Sequence, residues 1–188
     1  SISSTCGPTS KHCCVRQERA ANSVSCPAST RHCIPARPPR FAEAARTRVA
    51  AETGARPVSD YHELLGQVDA VSVVTPTPAH HPIALDFLRS GAHVLVEKPI
   101  TETVEQARAL IDAAREAGRV LQVGHLERFN PAVLAAEPYL RSPRFIECHR
   151  LAPYRERGTD VNVVLDLMIH DIDIVQAIVD SPIVALEA

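Results

Sequence analysis

The sequence contains no tryptophan, one methionine and only seven glycines among 188 residues. It also lacks any apolar run approaching the roughly 18 to 20 residues that a membrane-spanning helix requires. A formal net charge of −2 leaves no excess of basic residues, and the first residues lack the charged, apolar and small-residue regions of a signal peptide. These absences predict a soluble, cytoplasmic protein whose partners include neither nucleic acid nor a membrane.

Glycine is scarcest at the beginning of the chain, where Gly7 is the only one before Gly54. Residues 1–40 are rich in Ser, Arg, Pro and Cys, and have too few branched aliphatic side chains to build a core. Five of the six cysteines lie here, but their spacing is not that of C-x2-C zinc ligands, and nothing indicates the oxidising compartment in which disulfides persist. We therefore predict no metal site and expect this leader to be disordered or out of frame, which translating the coding DNA in its other frames would test.

From Phe41 onward, short apolar runs that predict strands alternate with patterns typical of helices. A capping box at Thr103 and Gln106 marks the start of one helix, for which the spacing predicts an apolar stripe of Val104, Ala107, Ile111 and Ala114. Short connections between strand and helix indicate a parallel sheet with right-handed crossovers. The predicted strands cover 69–75, 93–97 and 119–125, and the predicted helices cover 42–53, 79–91 and 103–118. In the helix at 79–91, one apolar face is predicted, formed by Ile83, Ala84, Phe87 and Leu88.

The predicted fold class is α/β, in two parts. Residues 41–124 are expected to form a partial doubly wound, Rossmann-like parallel sheet, and residues 125–188 the start of a truncated α+β domain. In that second domain we expect a helix at 130–140, a strand at 144–150 and the beginning of another strand after 180. The stretch 161–179 is apolar nearly all round, which predicts a long buried helix.

That long helix carries one polar stripe. Asn162, Asp166, His170 and Asp173 are spaced at i, i+4, i+8 and i+11, which on a regular helix places them within about 80° of one another. Unpaired buried polar groups cost roughly 1 to 3 kcal/mol each, so the stripe must face a partner or a wet pocket. Two interpretations remain open, a functional cluster and a simple i,i+4 pair of Asp166 with His170.

Polar loops also follow three of the predicted strands. Glu97, Lys98 and Pro99 come directly after one strand, the segment TPTPAHH at 75–81 follows the preceding one, and GHLERFNPA at 124–132 follows the next. The carboxyl ends of parallel strands share one edge of the sheet, which is where open α/β sheets bind their ligands. Their convergence predicts a functional site at that edge.

The segments TPTPAHHPIALDFLRSGAHVLVEKPIT and VVLDLMIHDIDI resemble two signatures of the nicotinamide-dependent oxidoreductase family named for glucose-fructose oxidoreductase, inositol dehydrogenase and MocA. The resemblance covers roughly residues 42–188. It implies NAD or NADP as cofactor, hydride transfer from a secondary hydroxyl of a sugar or nucleotide sugar, and homo-oligomers among intact relatives. GHLERFNPAV resembles bacterial members that oxidise position 3 of UDP-N-acetylglucosamine.

The resemblance also implies a role for each residue that matches a signature. It implies catalytic roles for Lys98, His170 and Asp166, cofactor contacts for Thr75, Pro76, Thr77, His80 and Glu97, and substrate contacts for Arg128, Asn130 and Asn162. The chain departs from the family by lacking an opening G-x-G-x-x-G turn, so weak NAD binding is expected. Two alternatives stay open: a non-catalytic remnant, and a metal-dependent hydrolase or lyase using Asp166, His170, Asp173 and His125.

Overall fold

The chain divides into two compact units, a first unit of residues 1–124 and a second unit of residues 125–188. No helix among the described residues is long and apolar enough to cross a membrane. The structure, a computed structural model, describes residues 12–16, 32–35, 47–52, 54–151, 162–179 and 181–187.

The first unit is built on a six-stranded sheet whose strands are all parallel. Its spatial order, β3-β2-β1-β4-β5-β6, is that of the dinucleotide-binding Rossmann sheet, in which the order reverses between the first and fourth strands. The prediction of a doubly wound parallel sheet is therefore confirmed. The strands are β1 His12–Arg16, β2 His32–Pro35, β3 Arg56–Pro57, β4 Ala70–Val74, β5 His93–Val96 and β6 Leu121–Val123.

Two of these strands lie where the sequence predicted no regular structure. β1 and β2 both fall within residues 1–40, and β1 pairs with β2 on one side and with β4 on the other. Within these two strands the aliphatic residues occur in matched register, since Val15 is opposite both Ile34 and Val73. Backbone hydrogen bonds to two neighbours can order a strand that has little apolar content of its own, which composition alone does not reveal.

In the described part of the first unit, three helices follow strands: α1 at 47–52, α2 at His80–Arg89 and α3 at Val104–Ala117. The predicted capping box is present at Thr103, and α3 ends at Gly118, whose φ of 61° is the left-handed conformation that glycine adopts without a Cβ penalty. The part of predicted helix 42–53 before residue 47 lies outside the described residues.

The hydrophobic core lies between the sheet and helices α2 and α3. The predicted apolar face of α2 is confirmed, because Ile83, Ala84, Phe87 and Leu88 are all buried. The remaining buried aliphatics come mainly from alternate positions of β4 and β5 and from one face of α3: Val71, Val73, Val94, Val96, Leu110, Ala113 and Ala114.

The stripe predicted for α3 is wrong in part. Val104 and Ile111 are exposed at 60% and 46%, whereas Leu110 is fully buried. Leu110 and Ala113 each lie one position before a member of the predicted stripe, and both sets satisfy a helical period. In α3, periodicity identifies the helix but does not decide between these two overlapping faces, and packing between α2 and α3 selects the buried one.

The described residues of the second unit are mainly helical. They include a 3-10 turn at Leu126–Phe129, the helix α4 at Pro131–Ala136, a π-helical segment at Val164–Met168 and the helix α5 at Ile169–Ile178. The predicted helix at 130–140 is confirmed in its first half and continues as a 3-10 turn at Glu137–Tyr139.

Three expectations for the second unit are wrong. Residues 144–150 and 181–187 form no strand, and the long helix is not buried, because Val163 and Met168 are 67% and 52% exposed. A helix that is apolar on all sides needs another layer to cover it. The described part of this unit contains no sheet to provide that layer.

We predict that Phe87→Ala will lower the free energy of unfolding by about 3 to 5 kcal/mol, because the side chain is at 0% exposure in the core. Urea unfolding followed by circular dichroism will measure the change. The matched control is Phe145→Ala, whose side chain is 82% exposed and whose loss should cost no more than about 0.5 kcal/mol. Equal costs for the two variants would contradict the core assignment.

Candidate active site

Strands β4, β5 and β6 end level with one another, and this places three loops at one edge of the sheet. Val73 is opposite Val96 in the register of β4 and β5. The amide of Glu97 donates to the Val73 carbonyl at 3.0 Å, and the amide of Gly124 donates to the Val96 carbonyl at 2.8 Å. The chain therefore leaves the sheet at the same level in all three strands, after Thr75, after Glu97 and at Gly124, as the sequence predicted.

Gly124 is closely packed against Glu97 at this edge. An ideal Cβ built on it would lie 3.1 Å from Oε2 and 3.3 Å from Cδ of Glu97, and 3.4 Å from the Glu97 Cα. These distances are too short for an ordinary side chain unless Glu97 moves. The glycine thus lets the Glu97 carboxylate lie directly against the end of β6.

The loop after Glu97 is held at both ends. Lys98 and Pro99 follow Glu97 directly, and Lys98 is half-buried on the rim. Further along, the Thr101 hydroxyl is buried and donates to the Thr103 carbonyl at 2.7 Å. The loop therefore runs from the end of β5 into the amino-terminal cap of α3.

The loop after β4 has a buried hydroxyl at its start. Thr75 and Thr77 are each only 6% exposed, and Pro76 leads into a 3-10 turn at Thr77–Ala79. Within the part of the chain that the structure describes, Oγ1 of Thr75 has no hydrogen-bond partner. A buried hydroxyl at the ligand-binding edge of such a sheet fits contact with a polar group of a bound cofactor.

His80 contacts the backbone of both loops. Its ring is 1% exposed, with Nε2 at 2.8 Å from the Thr75 carbonyl oxygen and Nδ1 at 2.9 Å from the Pro99 carbonyl oxygen. The resemblance placed His80 among the cofactor contacts. The structure encloses the ring among backbone groups, and the cofactor contact of His80 remains a prediction.

In the second unit, Asp173 is the centre of a charged cluster. Arg128 donates two hydrogen bonds to it, one from Nε to Oδ2 at 2.8 Å and one from Nη2 to Oδ1. Burial raises the pKa of Asp173, but the hydrogen bonds from Arg128 and the electrostatic effects of His125, Arg128 and His170 outweigh it, so the pKa lies below its ordinary value. The same hydrogen bonds raise the pKa of Arg128. The carboxylate thus remains charged among cationic or titratable neighbours.

The two predicted substrate-binding asparagines make local backbone contacts. Oδ1 of Asn130 accepts from the Ala132 amide at 3.0 Å and caps α4. Oδ1 of Asn162 accepts from the Leu165 amide at 3.0 Å. Both side chains are exposed. In each asparagine, the side-chain oxygen is therefore used in a local hydrogen bond to the backbone.

The polar stripe does not follow regular helical geometry. Asp166 lies in the π-helical segment, before His170 in α5. A π turn contains more residues than an α turn, so the assumed 100° per residue does not hold between Asn162 and His170. Among the described residues, no three His, Cys, Asp or Glu side chains are grouped as ligands for a metal ion.

Sequence reasoning missed the contacts that make two residues, Gly124 and Asp173, important in the geometry. Gly124 gives Glu97 its space, and the only signal in the sequence was a glycine directly after a predicted strand. Asp173 was assigned to the polar stripe, but its bidentate pairing with Arg128 joins residues 45 positions apart. No local pattern reveals such a contact.

A six-stranded parallel sheet in this order, with its polar loops at the carboxyl edge, defines a dinucleotide-binding fold. The model of the oxidoreductase family with an NAD-binding Rossmann fold, GFO_IDH_MocA, matches residues 19–125. The chain belongs to this family. The match begins before Phe41, so it includes part of the segment 1–40, whose composition differs from that of the rest of the chain.

Individual relatives are nucleotide-sugar and inositol dehydrogenases. UDP-N-acetylglucosamine 3-dehydrogenase of Acidithiobacillus ferrooxidans is 45% identical over 131 residues, which cover 67% of this chain and 41% of the relative. A crystal structure of that enzyme superimposes with a TM-score of 0.68 at 38% identity, over 80% of this chain and 48% of the other. Inositol 2-dehydrogenase of Rubrobacter xylanophilus is 34% identical over 134 residues, covering 66% of this chain and 39% of the relative.

A further solved structure has bound ligands. The WlbA dehydrogenase from Bordetella pertussis, in complex with NADH and UDP-GlcNAcA, aligns at 28% identity with a TM-score of 0.52, over 58% of this chain and 31% of the other. The chain spans about two-fifths of the length of the UDP-N-acetylglucosamine and inositol dehydrogenases that it matches. It shares with them the family's NAD-binding fold.

We predict that Gly124→Ala will destabilise the first unit by about 1 to 3 kcal/mol, as overpacking does, because the new methyl group would lie 3.1 Å from Glu97 Oε2. The cost should fall by at least half in the Glu97→Ala background, where Cδ and Oε2 are absent. Urea unfolding of the four variants of this double-mutant cycle measures the coupling. Equal costs in both backgrounds would show that the clash is not with the carboxylate.

We predict that Arg128→Met will increase amide hydrogen exchange across 163–178 by about tenfold at neutral pH, since it removes two hydrogen bonds to a charged group. The folded pKa of Asp173 is lowered, so its stabilisation is present above its ordinary pKa of about 3.9 and is lost as pH falls through the folded value.

The difference between Arg128→Met and the wild type, after correction for intrinsic exchange rates, should therefore shrink as the pH falls below about 4. Arg144→Met is the control, because Arg144 is an exposed arginine of the same unit. A difference that persists unchanged at low pH would rule out Asp173 as the group through which Arg128 acts.

Proposed function

We propose that this chain provides the nicotinamide-binding and acid–base residues of an NAD(P)-dependent dehydrogenase that oxidises a secondary hydroxyl of a nucleotide sugar, UDP-N-acetylglucosamine being the preferred candidate. The observation that carries the proposal is the 45% identity to UDP-N-acetylglucosamine 3-dehydrogenase. The level ends of β4, β5 and β6 support it, because they bring the signature loops to one ligand-binding edge.

The loop Thr75–Thr77 and Glu97 are the proposed cofactor contacts. Oγ1 of Thr75 is buried and has no hydrogen-bond partner among the described residues, so it is available to a polar group of the cofactor. A bound nicotinamide supplies the acceptor for the hydride of the alcohol carbon. The segment between β1 and β2, where the family binds the pyrophosphate, lies outside the described residues.

The oxidation also releases the one proton of the hydroxyl group, and the proposed acceptor of that proton is either Lys98 or His170. Asp166 is proposed to lie near the reacting hydroxyl. Arg128, Asn130 and Asn162 are the proposed substrate contacts, and each also makes a local or ion-pair hydrogen bond within the second unit. Each of these roles comes from the family signatures in the sequence and is proposed on that basis.

A non-catalytic role is the second candidate, favoured by one observation. Gly7 is the only glycine before Gly54, so the chain has no G-x-G-x-x-G turn with which to approach a pyrophosphate closely. Such a chain would retain the family's sheet without binding its cofactor.

Cofactor binding distinguishes the two candidates. Because the chain has no tryptophan, NADH fluorescence can be followed without indole background, and calorimetry with NAD and NADP adds the preference between them. We expect saturable binding and cofactor reduction with UDP-N-acetylglucosamine at a higher rate than with inositol. No saturable binding of either cofactor would favour the non-catalytic candidate.

We predict that Lys98→Met will lower turnover by about 10²- to 10⁴-fold, the usual contribution of a general acid or base, while NADH binding changes little. Lys11→Met is the matched control, since Lys11 is the chain's other lysine, and it should retain full turnover. If Lys98→Met and Lys11→Met are equally active, Lys98 has no part in the proton transfer.

A further inference from the structure

His80 is a buried titratable group to which the proposed chemistry gives no direct task. Its ring is 1% exposed, and it is the first residue of α2. Both of its nitrogens face backbone carbonyl oxygens, Nε2 that of Thr75 at 2.8 Å and Nδ1 that of Pro99 at 2.9 Å. One of these carbonyls belongs to the loop after β4 and the other to the loop after β5.

Carbonyl oxygens only accept hydrogen bonds, whereas a neutral imidazole has one N–H and one bare nitrogen. A neutral ring would therefore set a nitrogen lone pair against an oxygen lone pair across less than about 3 Å, in a site without solvent to separate them. Both contacts are hydrogen bonds only if both ring nitrogens carry a proton.

The two contacts span the edge of the sheet. Residues 75 and 99 are 24 positions apart, on loops that leave neighbouring strands. Pro99 follows Lys98 directly, and Thr75 carries the buried hydroxyl at the start of its loop. An imidazole ring that is hydrogen-bonded to both carbonyls therefore fixes the distance between the two loops.

We propose that His80 is a positioning residue: with both ring nitrogens protonated, it links the Thr75 loop to the Lys98 loop and holds them at a constant separation. Its importance for turnover rests on the proposed function, because that function gives Lys98 its task. The link between the loops does not depend on that function and is tested separately.

Hydrogen exchange measured by mass spectrometry tests the link. In His80→Ala, amides of 75–79 and 97–101 should exchange about tenfold faster or more, because two hydrogen bonds are lost, while β4 itself stays protected. His81→Ala, the adjacent histidine of the same helix, is the matched control and should leave both loops unchanged. His80→Gln has an amide that donates at one end only, so it should protect at most one of the two loops.

The imidazole nitrogen chemical shifts of the wild-type protein provide a second readout that needs no variant. Both nitrogens of His80 should resonate as protonated nitrogens at the pH of the exchange measurement. A spectrum with one protonated and one bare nitrogen would overturn the proposal, and so would equal loop exchange in His80→Ala and His81→Ala. If the loops loosen as expected but no cofactor binds, the proposed function fails while the positioning role of His80 stands.

Discussion

The parallel pairing of β4 with β5 determines where the candidate site begins. With Val73 opposite Val96, both strands end at the same level, and the amide of Glu97 closes the ladder on the Val73 carbonyl. The polar loops must then leave from one edge, and the ring of His80 can reach both of them. A slip of one residue in this register would bring each buried side chain to the opposite face and separate the loops.

The two units are organised by different interactions. The first is held by a closed apolar core around residues such as Phe87 and Leu110, which are fully buried. The second has no buried hydrophobic residue among those described, and its described long-range contacts include two bidentate ion pairs, Arg128 with Asp173 and Arg150 with Asp171. A unit organised by partly exposed ion pairs gains little stability from each of them.

Composition was a poor guide to the first 40 residues. Their scarcity of aliphatic side chains predicted disorder, yet β1 and β2 complete the six-stranded order, and the family match extends back to residue 19. The interior of a parallel sheet is specified by pairing on both sides of a strand as well as by apolar content. Val15 of β1 is in register with Ile34 of β2 on one side and with Val73 of β4 on the other.

The sequence by itself determined the class of fold, the capping box at Thr103, the buried face of α2 and the loops that form the edge, because each of these follows from local spacing. Only the tertiary structure decided that Leu110, not Ile111, is buried, that Gly124 gives space to Glu97, and that the ring of His80 faces inward. These are contacts between residues distant in the chain. Spacing along one element says which face is apolar, but which neighbour meets that face is set only when the elements pack.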